Sequence, residues 1–439
     1  MSNAATHGLY AIARGSAFVF TCRVTGAAFA LLLQVMLARW MGAAELGIYV
    51  LAFSWCVTLA TISHLGFAAA SVRVIGEAMA QENPGRIWGF LRRTRQIVAV
   101  ASLLTAATGA IVIVLSKGLL DIGATAPFLL AMAIVPVLAF VNIRCAVALA
   151  FRWISLSFVW TEVVRPISIC VIVAAIWLMT SSLNASVVMI VQLIVMIAVA
   201  VVLSAHLSRR LNLELASTPP EYETHAWLRI ALPLLVISLF GNYFPDFMLI
   251  LVGAHVPSDQ VAIFNASYRL AMIVTFTLTA VEAVTSPVAS RLFAAQDFNE
   301  LQSVVSRAAK LGFGASLASV AVFAILGRTL LGLFGAEFIA GYETMLILLS
   351  AQLVRAAAGP VISLLSVTGH QDRCLAVFGV GLIASVVLVF LLVPIFGIRG
   401  AAVSVLLVTL GWSIWLQRLV VVHLGVRTSV FASFTRTKK

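Results

Sequence analysis

The chain has 439 residues, of which 62% are hydrophobic and 10% charged, with a mean hydropathy of +1.11. A soluble domain carries about a quarter charged residues, so a water-facing surface around a body of this size is excluded and the solvent is lipid. The net charge of +12 would suggest nucleic acid in a soluble protein, but the cations fall between apolar runs, the pattern of a chain oriented against an anionic leaflet, and no nucleic-acid partner is expected.

A helix needs about 20 apolar residues to cross the hydrocarbon core. Segments of that kind fall near 15–37, 46–70, 97–115, 124–145, 163–180, 185–207, 229–254, 262–288, 311–327, 343–367, 375–394 and 400–422. The stretch 146–162 is ambiguous, being apolar but interrupted by Arg152. The expectation is an all-α polytopic membrane protein of about twelve transmembrane helices. The first apolar stretch is too long and its flank too poor in basic residues for a cleaved signal, so it reads as a retained span. Cys22, Cys56, Cys145, Cys170 and Cys374 have no metal or redox spacing and read as small hydrophobes.

Twelve spans put both termini on one side. With that side inside, the inner segments hold 20 of the 28 Lys and Arg residues, whereas the outer ones hold only Arg39, Lys117, Arg328 and Arg399. The positive-inside rule therefore predicts cytoplasmic N and C termini in a plasma (inner) membrane. The inner segment 71–96 mixes Arg86, Arg92, Arg93 and Arg95 with Ile87, Trp88 and Phe90. It reads either as a helix lying in the headgroup plane or as a solvated basic loop.

The halves resemble each other. Met41–Tyr49 and Val252–Phe264 both end a hairpin, and each following span runs into a basic amphipathic segment, Arg93 and Arg307 standing 214 residues apart. Two six-helix bundles are expected: an N-terminal lobe over 1–207, a linker over 208–228 broken at Thr218-Pro219-Pro220-Glu221, a C-terminal lobe over 229–422, and a basic cytoplasmic tail over 423–439.

The string Leu37-Ala38-Arg39-Trp40-Met41-Gly42-Ala43-Ala44-Glu45-Leu46-Gly47-Ile48-Tyr49 resembles the "LAR-LG-EEFG-Y" signature after the first span of polysaccharide flippases. These are the Wzx-type members of the multidrug/oligosaccharidyl-lipid/polysaccharide exporter superfamily. His64-Leu65-Gly66-Phe67 with Val72-Arg73, Arg165-Pro166, and Leu365-Ser366-Val367-Thr368-Gly369-His370 are similar to further short motifs of that family. The resemblance implies a 6+6 bundle, alternating access and export of polyprenyl-diphosphate-linked oligosaccharide for cell-surface polysaccharide such as O-antigen, lipopolysaccharide or exopolysaccharide. It also implies membrane lipids and other polysaccharide-assembly proteins as partners, and no cofactor.

A charge at the bilayer centre costs about 2.5–3.5 kcal/mol even on the lenient insertion scale, so intramembrane ionisable residues are candidates for function. Arg355 falls in the middle of the tenth span with Gln352 and Gly359 on its face and Pro360 beside it. It reads as a cation for a diphosphate or acidic sugar, or as the partner of an acid on another helix. Arg23 shares a stripe with Gly26, Ala30 and Gln34, with Thr61 and His64 expected at similar depth. This reads as a lumen-facing polar layer, or as an arginine reaching to the headgroups and a satisfied core histidine. Asp246 and Arg269 are equidistant from their hairpin tip and read as an ion pair, or, with Asn242, as a site for a coupling ion. Arg165 with Glu162, and Glu282, read as anchors near span ends. The substrate-binding candidates are thus Arg23, Gln34, His64, Arg269, Gln352 and Arg355.

The chain lacks G-x-x-x-x-G-K-[ST], HExxH and GxSxG. The outer loops are short and their acids scattered, which disfavours a membrane-embedded glycosyltransferase, polymerase or ligase, so no catalytic or metal residue is assigned. A multidrug/cation antiporter of the same superfamily is the nearer alternative. It would be expected to place acids deep in the first lobe, where this chain has Arg23.

Overall fold

The structure is a computed structural model that describes residues 2–116, 122–215, 219–367 and 372–430. Lys117, Asp121, Thr218, the end of the tenth-span motif (Thr368, Gly369 and His370), and Arg436, Lys438 and Lys439 lie outside the described residues. The described residues contain helices and no strand. Among the described residues, ten helical runs are long and apolar enough to cross a membrane. Two of them, Ala17–Ala80 and Arg373–Leu424, are interrupted by a non-helical glycine, Gly42 (φ 79°) and Gly397 (φ 57°). Left-handed backbone of this kind costs a side-chain-bearing residue roughly 1–2 kcal/mol and costs glycine little. Each glycine therefore divides one long helix into two spans, which is consistent with about twelve transmembrane segments.

The chain divides into two compact units, Met1–Phe247 and Met248–Lys439. The first contains α1 (Ser2–Ser63), α2 (Phe67–Ala80), α3 (Pro84–Leu115), α4 (Ile122–Ala150), α5 (Ile154–Phe158), a π-helix (Val159–Val164), α6 (Arg165–Thr180), α7 (Ala185–Leu215), α8 (Thr224–Asn242) and the start of α9 (Phe244–Gly253). Helix α4 is its centre, packed against α1, α2, α3 and α7, with Ala131, Ile134, Val135 and Ala139 buried. The second unit contains the rest of α9, α10 (Ser258–Met272), α11 (Thr275–Ala294), α12 (Phe298–Gly332), a 3-10 turn (Ala336–Gly341), α13 (Tyr342–Ala358), α14 (Val361–Val367) and α15 (Asp372–Leu424). Its centre is α13, packed against α10, α12 and α15.

The unit boundary falls at 247/248 rather than in the expected linker at 208–228, because α8 packs on α2. Gly66 permits that approach: a Cβ there would meet the Ala231 carbonyl oxygen. The segment 71–96 is helical except for a short turn. It is the end of α2, a short turn and the first turns of α3, which Asn83 caps by accepting the Arg86 N–H (3.0 Å) with Pro84 at the first helical position.

The second unit repeats this turn 214 residues later. Glu82 and Gln296 both adopt positive φ (51° and 58°), and Asp297 caps α12 by accepting the Glu300 N–H, as Asn83 caps α3. Each turn is then strapped by a following segment. The Glu221 N–H donates to the Gly85 carbonyl (3.0 Å); Gln302 donates to the Arg427 carbonyl (2.8 Å) and accepts its N–H (2.7 Å). The repeat expected from faint sequence likeness is thus carried by cap chemistry and backbone conformation.

Candidate functional site

In the first unit the site starts at the contact between α1 and the π-helix. Gly26 faces that contact, where a Cβ would overlap the Glu162 carbonyl oxygen, so the two backbones touch. A π-helix carries one extra residue per turn and is often found at functional sites. Here it ends at Arg165-Pro166, where α6 begins. The ambiguous stretch 146–162 resolves at this point. The chain reverses at Arg152 (φ 59°) and span five runs from Ile154 to Thr180, so it starts nine residues before the expected 163. Glu162 and Arg165, expected near a span end, therefore lie well inside it.

Their charges reach neighbouring helices. Arg165 acts on Cys56 of α1, Cys145 of α4 and Tyr243, and Glu162 acts on Cys22, Cys145 and Tyr243. The Thr61 hydroxyl donates to the Val57 carbonyl (2.8 Å), beside Tyr243. Asp246 accepts from the Ser54 hydroxyl (3.1 Å). Arg165, Glu162, Asp246, Tyr243, Thr61 and Ser54 together form a polar layer among apolar helices.

The expected first-unit candidates sit differently. Arg23 is exposed, its guanidinium 5.7 Å from the centre of the Phe158 ring, a cation–π distance. Gln34 is buried at 6% exposure. His64 is 3% exposed and its Nδ1 accepts the Gly66 N–H (3.3 Å). It holds the turn formed by Leu65 and Gly66, both at positive φ, which is the satisfied-histidine alternative. Asn242 is exposed at the end of α8. Glu45, from the motif after the first span, accepts the Ala185 N–H (2.7 Å) at the start of α7, a carboxylate placed against a helix N-terminus.

In the second unit the tenth span breaks at Gly359 (φ 78°) and Pro360, and Arg355 occupies the last turn of α13 rather than the middle of one continuous helix. A cation there faces the negative end of the helix dipole. Glu282 of α11 is the carboxylate whose charge interacts with it. Gln352 is buried; its amide donates to the Met272 sulfur (3.6 Å), and its Oε1 is without a hydrogen-bond partner among the described residues. Arg269 is exposed in the last turn of α10, its Nε donating to Asn265 Oδ1 (3.4 Å). Within their own units, none of Arg23, Arg165, Arg269 and Arg355 lies within 4.0 Å of a carboxylate among the described residues. No group of three or more His, Cys, Asp or Glu side chains that could hold a metal is found among the described residues.

This chain is similar to solved membrane transporters over nearly its full length. It matches a MATE-family multidrug resistance transporter of the MOP superfamily in its inward-facing conformation (TM-score 0.67, 14% identity, 94% of each chain covered). It matches an outward-facing one (0.64, 14%, 93% of this chain and 96% of that one). It also matches a MOP superfamily transporter from Pyrococcus furiosus described as having a binding pocket of reversed polarity (0.62, 15%, 92% and 93%). Comparison with curated proteins yields no match. The apolar helices and this likeness thus define a multi-pass membrane protein with the fold of these transporters. The model of the polysaccharide biosynthesis protein family matches residues 12–293, and the chain belongs to that family.

Proposed function

We propose that this protein is a flippase that carries a polyprenyl-diphosphate-linked oligosaccharide from the inner to the outer leaflet of the plasma membrane by alternating access, supplying cell-surface polysaccharide synthesis. Both termini lie in the cytoplasm on this reading, since the basic segments gather at that side. The observation that carries the cargo class is the set of span arginines, Arg23, Arg165, Arg269 and Arg355, with no carboxylate within ion-pair distance in their own units among the described residues. Cations set within apolar spans and outside direct ion pairs attract an anionic headgroup, although Glu282 also acts on Arg355. Gln34 and Gln352 add hydrogen-bonding capacity for diphosphate and sugar. The family match supports the same reading.

A cation or drug antiporter is the second reading, and one observation favours it: Asp246 on Ser54 and Glu162 in the π-helix place two acids in the first-unit layer.

A deletion strain complemented with wild type and with Arg355→Ala distinguishes the readings. We expect wild type to restore surface polysaccharide, and the variant to lose it at unchanged membrane abundance. Normal polysaccharide in the variant removes Arg355 from the site. Restored resistance to ethidium without any change in polysaccharide would favour the antiporter.

A further inference from the structure

Away from that layer, at the basic end of the first unit, α3, α4 and α7 enclose a cavity of about 340 Å³. Three arginines line it, Arg92 and Arg95 from the first turns of α3 and Arg144 from the end of α4, together with Trp88, Phe140 and Ser208, and no carboxylate is among its lining residues. The Arg144 guanidinium lies 4.7 Å from the centre of the Phe140 ring, which holds it over the cavity floor. Arg95 is the charge that acts on Arg144, so the cations repel one another and an anion between them relieves that repulsion.

The second observation is on α7, which contributes Ser208 to the lining. Continuing the face of Ser208 back along the helix at three- and four-residue steps meets Val201, Ile197, Ile194 and Ile190. These are 63%, 46%, 58% and 44% exposed, on a helix long and apolar enough to span the membrane. Cationic cavity and bare apolar stripe follow one another along one helix, the order in which a phospholipid presents headgroup and acyl chains. Trp88 stands at the cavity edge, where amphipathic rings sit at a membrane surface.

We infer that this cavity is a binding site for an anionic phospholipid of the inner leaflet, whose phosphate lies among Arg92, Arg95 and Arg144 and whose acyl chains run along the exposed face of α7. A basic pocket between helix ends on the inner side is the chemistry that selects such headgroups. A free phosphate would use the arginines but not the stripe, and the bulk phospholipid is the species already alongside it. The inference does not depend on what the protein transports.

The purified full-length protein in detergent tests it by native mass spectrometry, titrated in separate arms with dioleoyl-phosphatidylglycerol, cardiolipin, dioleoyl-phosphatidylcholine, inorganic pyrophosphate and undecaprenyl diphosphate. We expect retention of phosphatidylglycerol or cardiolipin over phosphatidylcholine. Arg92→Gln and Arg95→Gln should each weaken it about fivefold, and the triple variant with Arg144→Gln about a hundredfold. Arg93→Gln, an exposed neighbour outside the cavity lining, should leave it unchanged. Equal binding of phosphatidylcholine, undiminished binding in the two single variants, or an equal loss in Arg93→Gln overturns the site. Tight pyrophosphate binding alone, or retention of undecaprenyl diphosphate with no retention of the phospholipids, overturns the choice of ligand. Should the triple variant misfold, the single variants carry the test.

Discussion

Gln352 separates what a side chain does for folding from what it does for transport. Its Oε1 is buried without a hydrogen bond among the described residues, and its amide meets only a sulfur. A buried unsatisfied polar atom costs about 1–3 kcal/mol. Gln352→Met removes that cost at nearly constant volume, so we expect the melting temperature of the purified protein to rise or hold while polysaccharide export falls. A fall in both would assign Gln352 to packing. Gly26 gives the opposite signature. A side chain there must push against backbone at Glu162, which cannot yield as a flexible side chain does. Gly26→Leu is expected to destabilise by about 1–3 kcal/mol, read as a lower melting temperature in detergent. An unchanged one would mean that α1 and the π-helix are not in close contact.

At the scale of elements, the basic end of the first unit is held by a strap whose parts can be exchanged. Arg86 donates to Glu223 (3.1 Å) and lies 3.9 Å from Glu77, while Asn83 donates to Glu221 (2.9 Å). Beneath them Phe90 meets Trp227 edge-on at 5.2 Å and Phe67 at 6.0 Å. Glu223 is 45% exposed on its side chain, so the ion pair is worth at most about 1 kcal/mol; the buried aromatic cluster carries more of the contact. Charge reversal at Arg86 (Arg86→Glu) should lower thermal stability slightly, and adding Glu223→Arg should recover part of it; Trp227→Ala should cost more than either, about 3–5 kcal/mol. A double variant no more stable than Arg86→Glu alone would show that the two residues do not couple. The spans were legible in the sequence because hydropathy over about 20 residues is a strong signal. The repeat was legible because Arg93 and Arg307 hold equivalent places in the helices that follow the matching turns. The π-helix was not, since nothing local distinguishes it from an α-helix. Arg152 disguised the start of span five, and with it the depth of Glu162 and Arg165. Arg23 and Arg355 were found as charges in apolar runs, but their partners, Phe158 and Glu282, come from other helices and no spacing reveals them.

For the molecule as a whole, the account requires twelve spans with both ends on the basic side. Reporter fusions after Leu215 and at the C terminus should both report cytoplasm, and a fusion near Gly42 the exterior. Any other pattern breaks the orientation. The cargo claim needs its own measurement. Reconstituted into liposomes, the protein should move a fluorescent polyprenyl-diphosphate-linked sugar between leaflets, and Arg355→Ala should slow that movement about tenfold or more, the loss expected when a charged hydrogen-bonding partner of a phosphate is removed. Equal rates in wild type and variant, or movement of ethidium but not of the lipid-linked sugar, would contradict an anionic cargo held by these arginines.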